Sequence, residues 1–148
     1  AVVDSSQWEA LPSVPWVSQA AGASNLKGKI IAVIEDDPVI TEAYRDTLLG
    51  EGAHVVVLSE WDEDLHLKLQ DIDRIDCILS DYRLKHTTGD VVIETLRENY
   101  NQEIPAVIVT GDTSPKQIHL FAGLNVRVLH KPVTFKTIVR TMEELIAT

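Results

Sequence analysis

The sequence predicts a three-layer α/β sandwich, built on a doubly wound, five-stranded, mainly parallel sheet. Three observations lead there. From Lys29 onward, short apolar runs of strand length alternate five times with stretches whose apolar residues recur at helical spacing. The clearest runs, Ile30–Ile34 and Ala106–Val109, are continuous rather than alternating, which suits strands buried on both faces. The strand exits are polar, and several double as turn starters or helix caps.

The elements follow in order. Ile30–Ile34 is the first strand, and Asp37-Pro38 then reads as a helix cap with proline at the first helical position. Ile40, Ala43, Tyr44, Thr47 and Leu48 mark one face of that helix, and Gly50 and Gly52 end it. Val55–Leu58 is the second strand, followed by a helix over 61–70 with Leu65 and Leu69 on one face. Cys77–Leu79 carries the third strand, which stops at Asp81. A loop through Lys85, His86 and Thr87 reaches Gly89-Asp90 and a helix bearing Ile93, Leu96 and Tyr100. Ala106–Val109 is the fourth strand and exits at Thr110-Gly111-Asp112. Ser114-Pro115 repeats the cap-and-proline signature before a short helix with Ile118 and Phe121. Val126–Leu129 is the fifth strand, ending at His130-Lys131-Pro132. The last helix turns Phe135, Ile138, Val139, Met142, Leu145 and Ile146 inward.

Residues 1–28 differ from the rest. They hold Pro12, Pro15, Gly22 and Gly28 without sustained periodicity, and read as a linker or the tail of a preceding domain, with 29–148 as the domain proper. Trp8 and Trp16 argue that part of this segment packs on something. The absence of an initial Met suits a fragment of a longer chain.

A length of 148 residues with 45% hydrophobic content supports one domain with a real core. No apolar run approaches the ~18 residues a membrane helix needs, and no secretory signal is visible. The single cysteine, Cys77, excludes an internal disulfide and any multi-cysteine metal site, and its strand context predicts a buried, structural thiol. Together these features predict a cytoplasmic protein without membrane contact. A net charge of -10 without a basic patch argues against nucleic-acid binding. His54, His66, His86 and His119 lack ligand spacing, His130 is expected to pack under the last helix, and the acids of 60–64 read as a solvated helix start.

Function is concentrated at the strand exits. Glu35 and Asp36 end the first strand, Asp81 the third, Thr110 the fourth and Lys131 the fifth. In a doubly wound parallel sheet these exits share one edge, where ligands bind. Clustered carboxylates cannot all stay ionised without a cation, and all-oxygen ligation favours Mg²⁺ shared with a phosphate. Lys131 adds a positive charge and Thr110 a hydroxyl donor, a clamp suited to a transferring phosphoryl group. One carboxylate can also be the nucleophile, and Asp81 is the isolated one.

Glu35-Asp36, Asp81, Thr110 and Lys131-Pro132, in this order on these strands, resemble the receiver domain of two-component response regulators. The resemblance covers 29–148 and implies a flavodoxin-like strand order 2-1-3-4-5. It implies that Asp81 accepts a phosphoryl group from a phosphohistidine on a histidine kinase or histidine phosphotransfer domain. It implies Mg²⁺ held directly by Asp36, Asp81 and the main-chain carbonyl of Arg83, with Glu35 acting through water. Lys131 would pair with the acyl phosphate, with a cis bond to Pro132, and Thr110 would move to the phosphoryl oxygen. Arg83 and Asp112 occupy positions that tune dephosphorylation. The resemblance also implies a domain that hydrolyses its own aspartyl-phosphate, and a homodimer is compatible with it.

One departure is Val128, where many relatives carry a rotating Tyr or Phe. The run Val128-Leu129-His130-Lys131-Pro132-Val133 also resembles receivers attached to hybrid sensor histidine kinases, so a C-terminal receiver of such a kinase is the expected context, with a stand-alone regulator second. Phosphatases of the haloacid-dehalogenase type need Asp-x-Asp after the first strand, which Glu35-Asp36-Asp37 does not supply. A flavodoxin-like cofactor binder needs a Ser/Thr/Gly-rich loop there, and three acids would repel its phosphate. A receiver-like module that only binds other proteins is the remaining rival.

Overall fold

The structure is a computed structural model that describes residues 25–58, 65–111 and 115–147. Its elements are β1 (Ile30–Ile34), α1 (Pro38–Gly50), β2 (His54–Leu58), α2 (Leu65–Leu69), β3 (Cys77–Asp81), α3 (Gly89–Tyr100), β4 (Ala106–Thr110), α4 (Pro115–Ala122), β5 (Arg127–His130) and α5 (Phe135–Ala147). All five strands pair in parallel, in the order β2-β1-β3-β4-β5. The chain winds from β1 to β2 in one direction and then crosses back to β3, so the switch point lies between β1 and β3.

Burial follows position in the sheet. β1, β3 and β4 are buried nearly throughout, whereas β2 and β5, at the edges, are partly exposed. The continuous apolar runs therefore belong to the central strands. Alternate residues feed two cores. Ile31, Val33, Cys77, Leu79, Val107 and Val109 meet Tyr44 and Leu48 of α1 and Ile138 and Met142 of α5. Ala32, Ile34, Ile78 and Ile108 meet Leu69 of α2, Ile93 and Leu96 of α3 and Phe121 of α4. The result is the expected three layers.

Local chemistry sets the element ends. Asp37 is extended and its Oδ1 accepts from the Val39 N–H at 2.9 Å, with Pro38 opening α1. Asn101 closes α3 in the left-handed region, at φ 49°. At the far end of the sheet, Asp76 Oδ2 accepts from the Ile30 N–H at 2.8 Å, and Arg74 bridges Asp76 and the Gly28 carbonyl. This fastens the start of β1 to the segment entering β3.

Several expectations are corrected. Phe135 is 44% exposed at the start of α5, although periodicity assigned it to the core; it packs edge-on against Tyr44 instead. His130 is exposed at the end of an edge strand rather than tucked under α5. β5 runs one residue later than read from the sequence. Leu26 is fully buried against the α1/α5 core, so packing begins three residues ahead of Lys29. The start of the second helix from Trp61, the acids of 60–64, Trp8, Trp16 and Ser114 lie outside the described residues. Among the described residues, no helix is long and apolar enough to cross a membrane.

Candidate functional site

The carboxyl ends of β1, β3 and β4 lie side by side because the register pairs Ile34 with Ser80 and Asp81 with Val109, while Thr110 stands beside His130 of β5. Each predicted residue thus leaves the sheet at one edge. Lys131 Nζ lies 3.2 Å from Asp81 Oδ1. The lysine is placed by its backbone, whose N–H donates to the Thr110 carbonyl at 2.8 Å, and its bond to Pro132 is cis.

Asp81 is held on both sides. The Tyr82 N–H donates to the Val109 carbonyl at 3.1 Å, and the Ser80 hydroxyl donates to the Asp81 carbonyl at 2.8 Å. Gly89 opens α3 against this turn and donates its N–H to the Tyr82 carbonyl at 2.8 Å. A Cβ at Gly89 would stand 2.3 Å from the Asp81 carbonyl oxygen and 2.5 Å from Ser80 Oγ, so only glycine fits. The side chain of Asp81 is 15% exposed, covered yet open to solvent at one edge.

Glu35 is the most buried acid of the set. Its Oε2 accepts from the Asp37 N–H at 3.2 Å, and its carbonyl accepts from Thr41 Oγ1 at 3.3 Å. Burial pushes its carboxyl above the ordinary carboxylate value; the Asp37 N–H lowers it, the negative charges of Asp81 and Asp36 raise it, and Lys131 lowers it. Those same influences show that Glu35, Asp36, Asp81 and Lys131 occupy one electrostatic neighbourhood. Thr110 is buried at the end of β4, in the same set.

Asp36 supplies the test for a cation. Its Oδ1 is buried and has no hydrogen-bond partner, a costly state for a carboxylate oxygen unless a cation or water meets it. Among the described residues, no three His, Cys, Asp or Glu side chains are grouped closely enough to cage a metal alone. Mg²⁺ does not require such a cage, since it retains waters and takes one or two carboxylates. Asp36, Asp81 and a main-chain carbonyl fit that habit.

Arg83 follows two residues after Asp81, exposed, and forms an antiparallel bridge with Thr88 that closes the loop before α3. Asp112 lies outside the described residues. Val128 is half-buried on β5 beside Ile108 and packs on the α2/α3/α4 side of the sheet.

Sequence reasoning missed Tyr44 as a neighbour of the site. Burial, then the charges of Glu35 and Asp81, push its phenol up to about 12. The available signal was its place two turns into α1 on the sheet-facing side, because helical side chains lean toward the N-terminus. Ser80 and Gly89 were also not read as supports of Asp81, since contacts across a loop leave no periodic trace.

The model of the response regulator receiver domain family matches residues 31–143. No curated protein sequence matches the chain. Among solved structures, the chemotaxis protein CheY4 of Vibrio cholerae is 24% identical, with a TM-score of 0.68 over 80% of this chain and 98% of that one. A CheY-like receiver domain protein from Methanospirillum hungatei JF-1 is 19% identical, with a TM-score of 0.68 over 82% and 95%. A response regulator receiver protein from Pseudomonas putida is 24% identical, with a TM-score of 0.67 over 79% and 97%. These likenesses show the fold.

Proposed function

The chain belongs to the response regulator receiver domain family, and on that premise we propose that Asp81 accepts a phosphoryl group from a phosphohistidine. The donor is a histidine kinase or a histidine phosphotransfer domain. One observation carries this reading: Asp81 sits at the switch-point edge with Lys131 Nζ 3.2 Å away. An Asp81 carboxylate oxygen forms a bond to phosphorus as the phosphorus–nitrogen bond breaks. The imidazole leaves with a proton, and Asp81 becomes an acyl phosphate.

Asp36, Asp81 and the Arg83 main-chain carbonyl would hold Mg²⁺, with Glu35 acting through water, and the ion would supply positive charge against the phosphoryl oxygens. Lys131 pairs with the phosphoryl group from the other side. Thr110 moves to donate its hydroxyl to a phosphoryl oxygen, which transmits the change to the surface of α4, β5 and α5. Water attack on the acyl phosphate resets the domain, and Arg83 and Asp112 tune that rate.

Residues 29–148 form the receiver and 1–28 a linker or tail, with the packed body reaching back to Leu26. The run from Val128 to Val133 supports the C-terminal receiver of a hybrid sensor histidine kinase in the cytoplasm, ahead of a stand-alone regulator. Incubation with Mg²⁺ and acetyl phosphate, followed by intact mass measurement, tests the reading. A phosphoryl-sized gain that vanishes in Asp81→Asn is expected. No gain with any donor would leave a module that only binds other proteins.

A further inference from the structure

A groove of about 350 Å³ runs between α1 and α5. Its lining is apolar at Val139 and at Phe135, one of the large apolar side chains left exposed, and charged at Lys136, Arg140, Glu51 and Glu143. Two cations and two acids cancel, so this face is electrically balanced on a chain whose net charge is -10. Among the described residues, Lys136, Arg140 and Glu51 form no ion pair. Glu143 is held in place by the Asn25 N–H, which donates to its Oε2 at 3.3 Å.

The four charges are sorted by level. α1 and α5 each follow a strand of one parallel sheet and pack on the same face of it, so both run away from the site edge. The Tyr44 ring against Phe135, at 5.7 Å between centroids, sets the two helices level at that point. Lys136 and Arg140 lie in the first two turns of α5, whereas Glu143 lies in its third and Glu51 just past the end of α1. The cations therefore stand toward the site edge and the acids toward the opposite edge. Lys136 and Glu143 are about 10 Å apart along the helix, with Val139 about one turn from each.

Such a face favours one occupant. A basic partner would be drawn to the acidic remainder of the surface, whereas a second copy, equally acidic, meets least repulsion where the charge is balanced. A two-fold interface must also complement itself, and reversing this face brings its cations onto its acids. We propose that two copies of this chain pair antiparallel across the α1/α5 groove, with Val139 meeting Val139 at the axis and Lys136 and Arg140 of each copy facing Glu51 and Glu143 of the other. Two thirteen-residue helices side by side present a face about 20 Å by about 20 Å. That is short of the ~800 Å² per partner of a standard interface, so the dimer is weak and reversible. This inference does not depend on the phosphoryl reading.

Sedimentation velocity of the whole, unphosphorylated chain tests it, over concentrations from about 10 µM to about 1 mM. The expected result is a reversible shift from monomer to dimer across that range. One variant carries Lys136→Glu and Arg140→Glu, which makes the face wholly acidic; a second carries Glu51→Lys and Glu143→Lys, which makes it wholly basic. Each alone should stay monomeric, and an equal mixture of the two should dimerise, because every charge then meets its opposite. Circular dichroism confirms the fold of both, and Glu51→Lys alone replaces the second variant if the change at Glu143, which holds Asn25, unfolds it. A parent that stays monomeric throughout overturns the proposal. So does a dimer that either variant alone retains, which places the contact on another face. Variants that are monomeric both apart and mixed overturn it as well, since the charges then do not pair between copies.

Discussion

Lys131 Nζ and Asp81 Oδ1 stand 3.2 Å apart although fifty residues separate them, and the lysine is aimed by the hydrogen bond of its own backbone to Thr110. The ion pair lies at the solvent edge, with the lysine side chain 45% exposed. Its weight is therefore in chemistry rather than folding. Lys131→Met should lower stability by no more than ~1 kcal/mol, as for exposed pairs. It should strongly reduce signalling through phosphorylated Asp81 while leaving Mg²⁺ affinity within a few-fold. Equal loss of both, measured by calorimetric Mg²⁺ titration and a phosphotransfer assay, would contradict the role assigned here.

Glu35 gives the site a pH signature. Its carboxyl is raised chiefly by burial, so the folded protein holds this proton to higher pH than the unfolded chain. The folded state then binds more protons, and stability falls as pH rises from the ordinary carboxylate value of 4.5 through the raised one. Glu35→Gln, which keeps an acceptor for the Asp37 N–H, should raise the melting temperature at pH 7. The advantage should close below pH 4.5 and shrink when Mg²⁺ is added. A lower melting temperature at pH 7 would sink this account.

Two glycines should behave oppositely on substitution by alanine. At Gly89 the new methyl would meet the Asp81 carbonyl at 2.3 Å, a backbone atom that cannot step aside. A loss of ~1–3 kcal/mol is expected, together with slower phosphorylation. At Gly50, near the end of α1, nothing lies within 4 Å, and alanine should gain ~0.4–1 kcal/mol by restricting the unfolded chain. Urea titration of both variants checks the pair.

Cys77 is fully buried, and burial pushes its thiol up to about 12. It should not react with a thiol-specific disulfide reagent at pH 8 in the folded state, and should react fully in denaturant. Fast labelling of the native protein would show that β3 opens far more readily than its burial allows.

Much of this was legible in the sequence because burial on both faces writes continuous apolar runs. Ile30–Ile34 and Ala106–Val109 announce central strands, and Asp37-Pro38 announces a helix start through local bonds alone. The candidate site was legible because each strand places its exit residue on a shared edge. What failed depended on contacts between distant segments. Phe135 has the period of a core residue but lies at the first position of α5, where the helix has little to cover it. Leu26 sits in a stretch without periodicity, and its burial comes from α1 and α5 closing over it. Tyr44 has the period of a core residue and is one, yet its phenol also borders the acids.

The fastening of Ile30 to Asp76 has a mechanical consequence. β1 and β3 are stitched at their starts by that bond and by Arg74, while their far ends carry carboxylates of like charge. The two strands resemble tongs with a riveted hinge and jaws that push apart. Any charge added or neutralised at the jaws therefore acts at the end of the two strands farthest from that hinge.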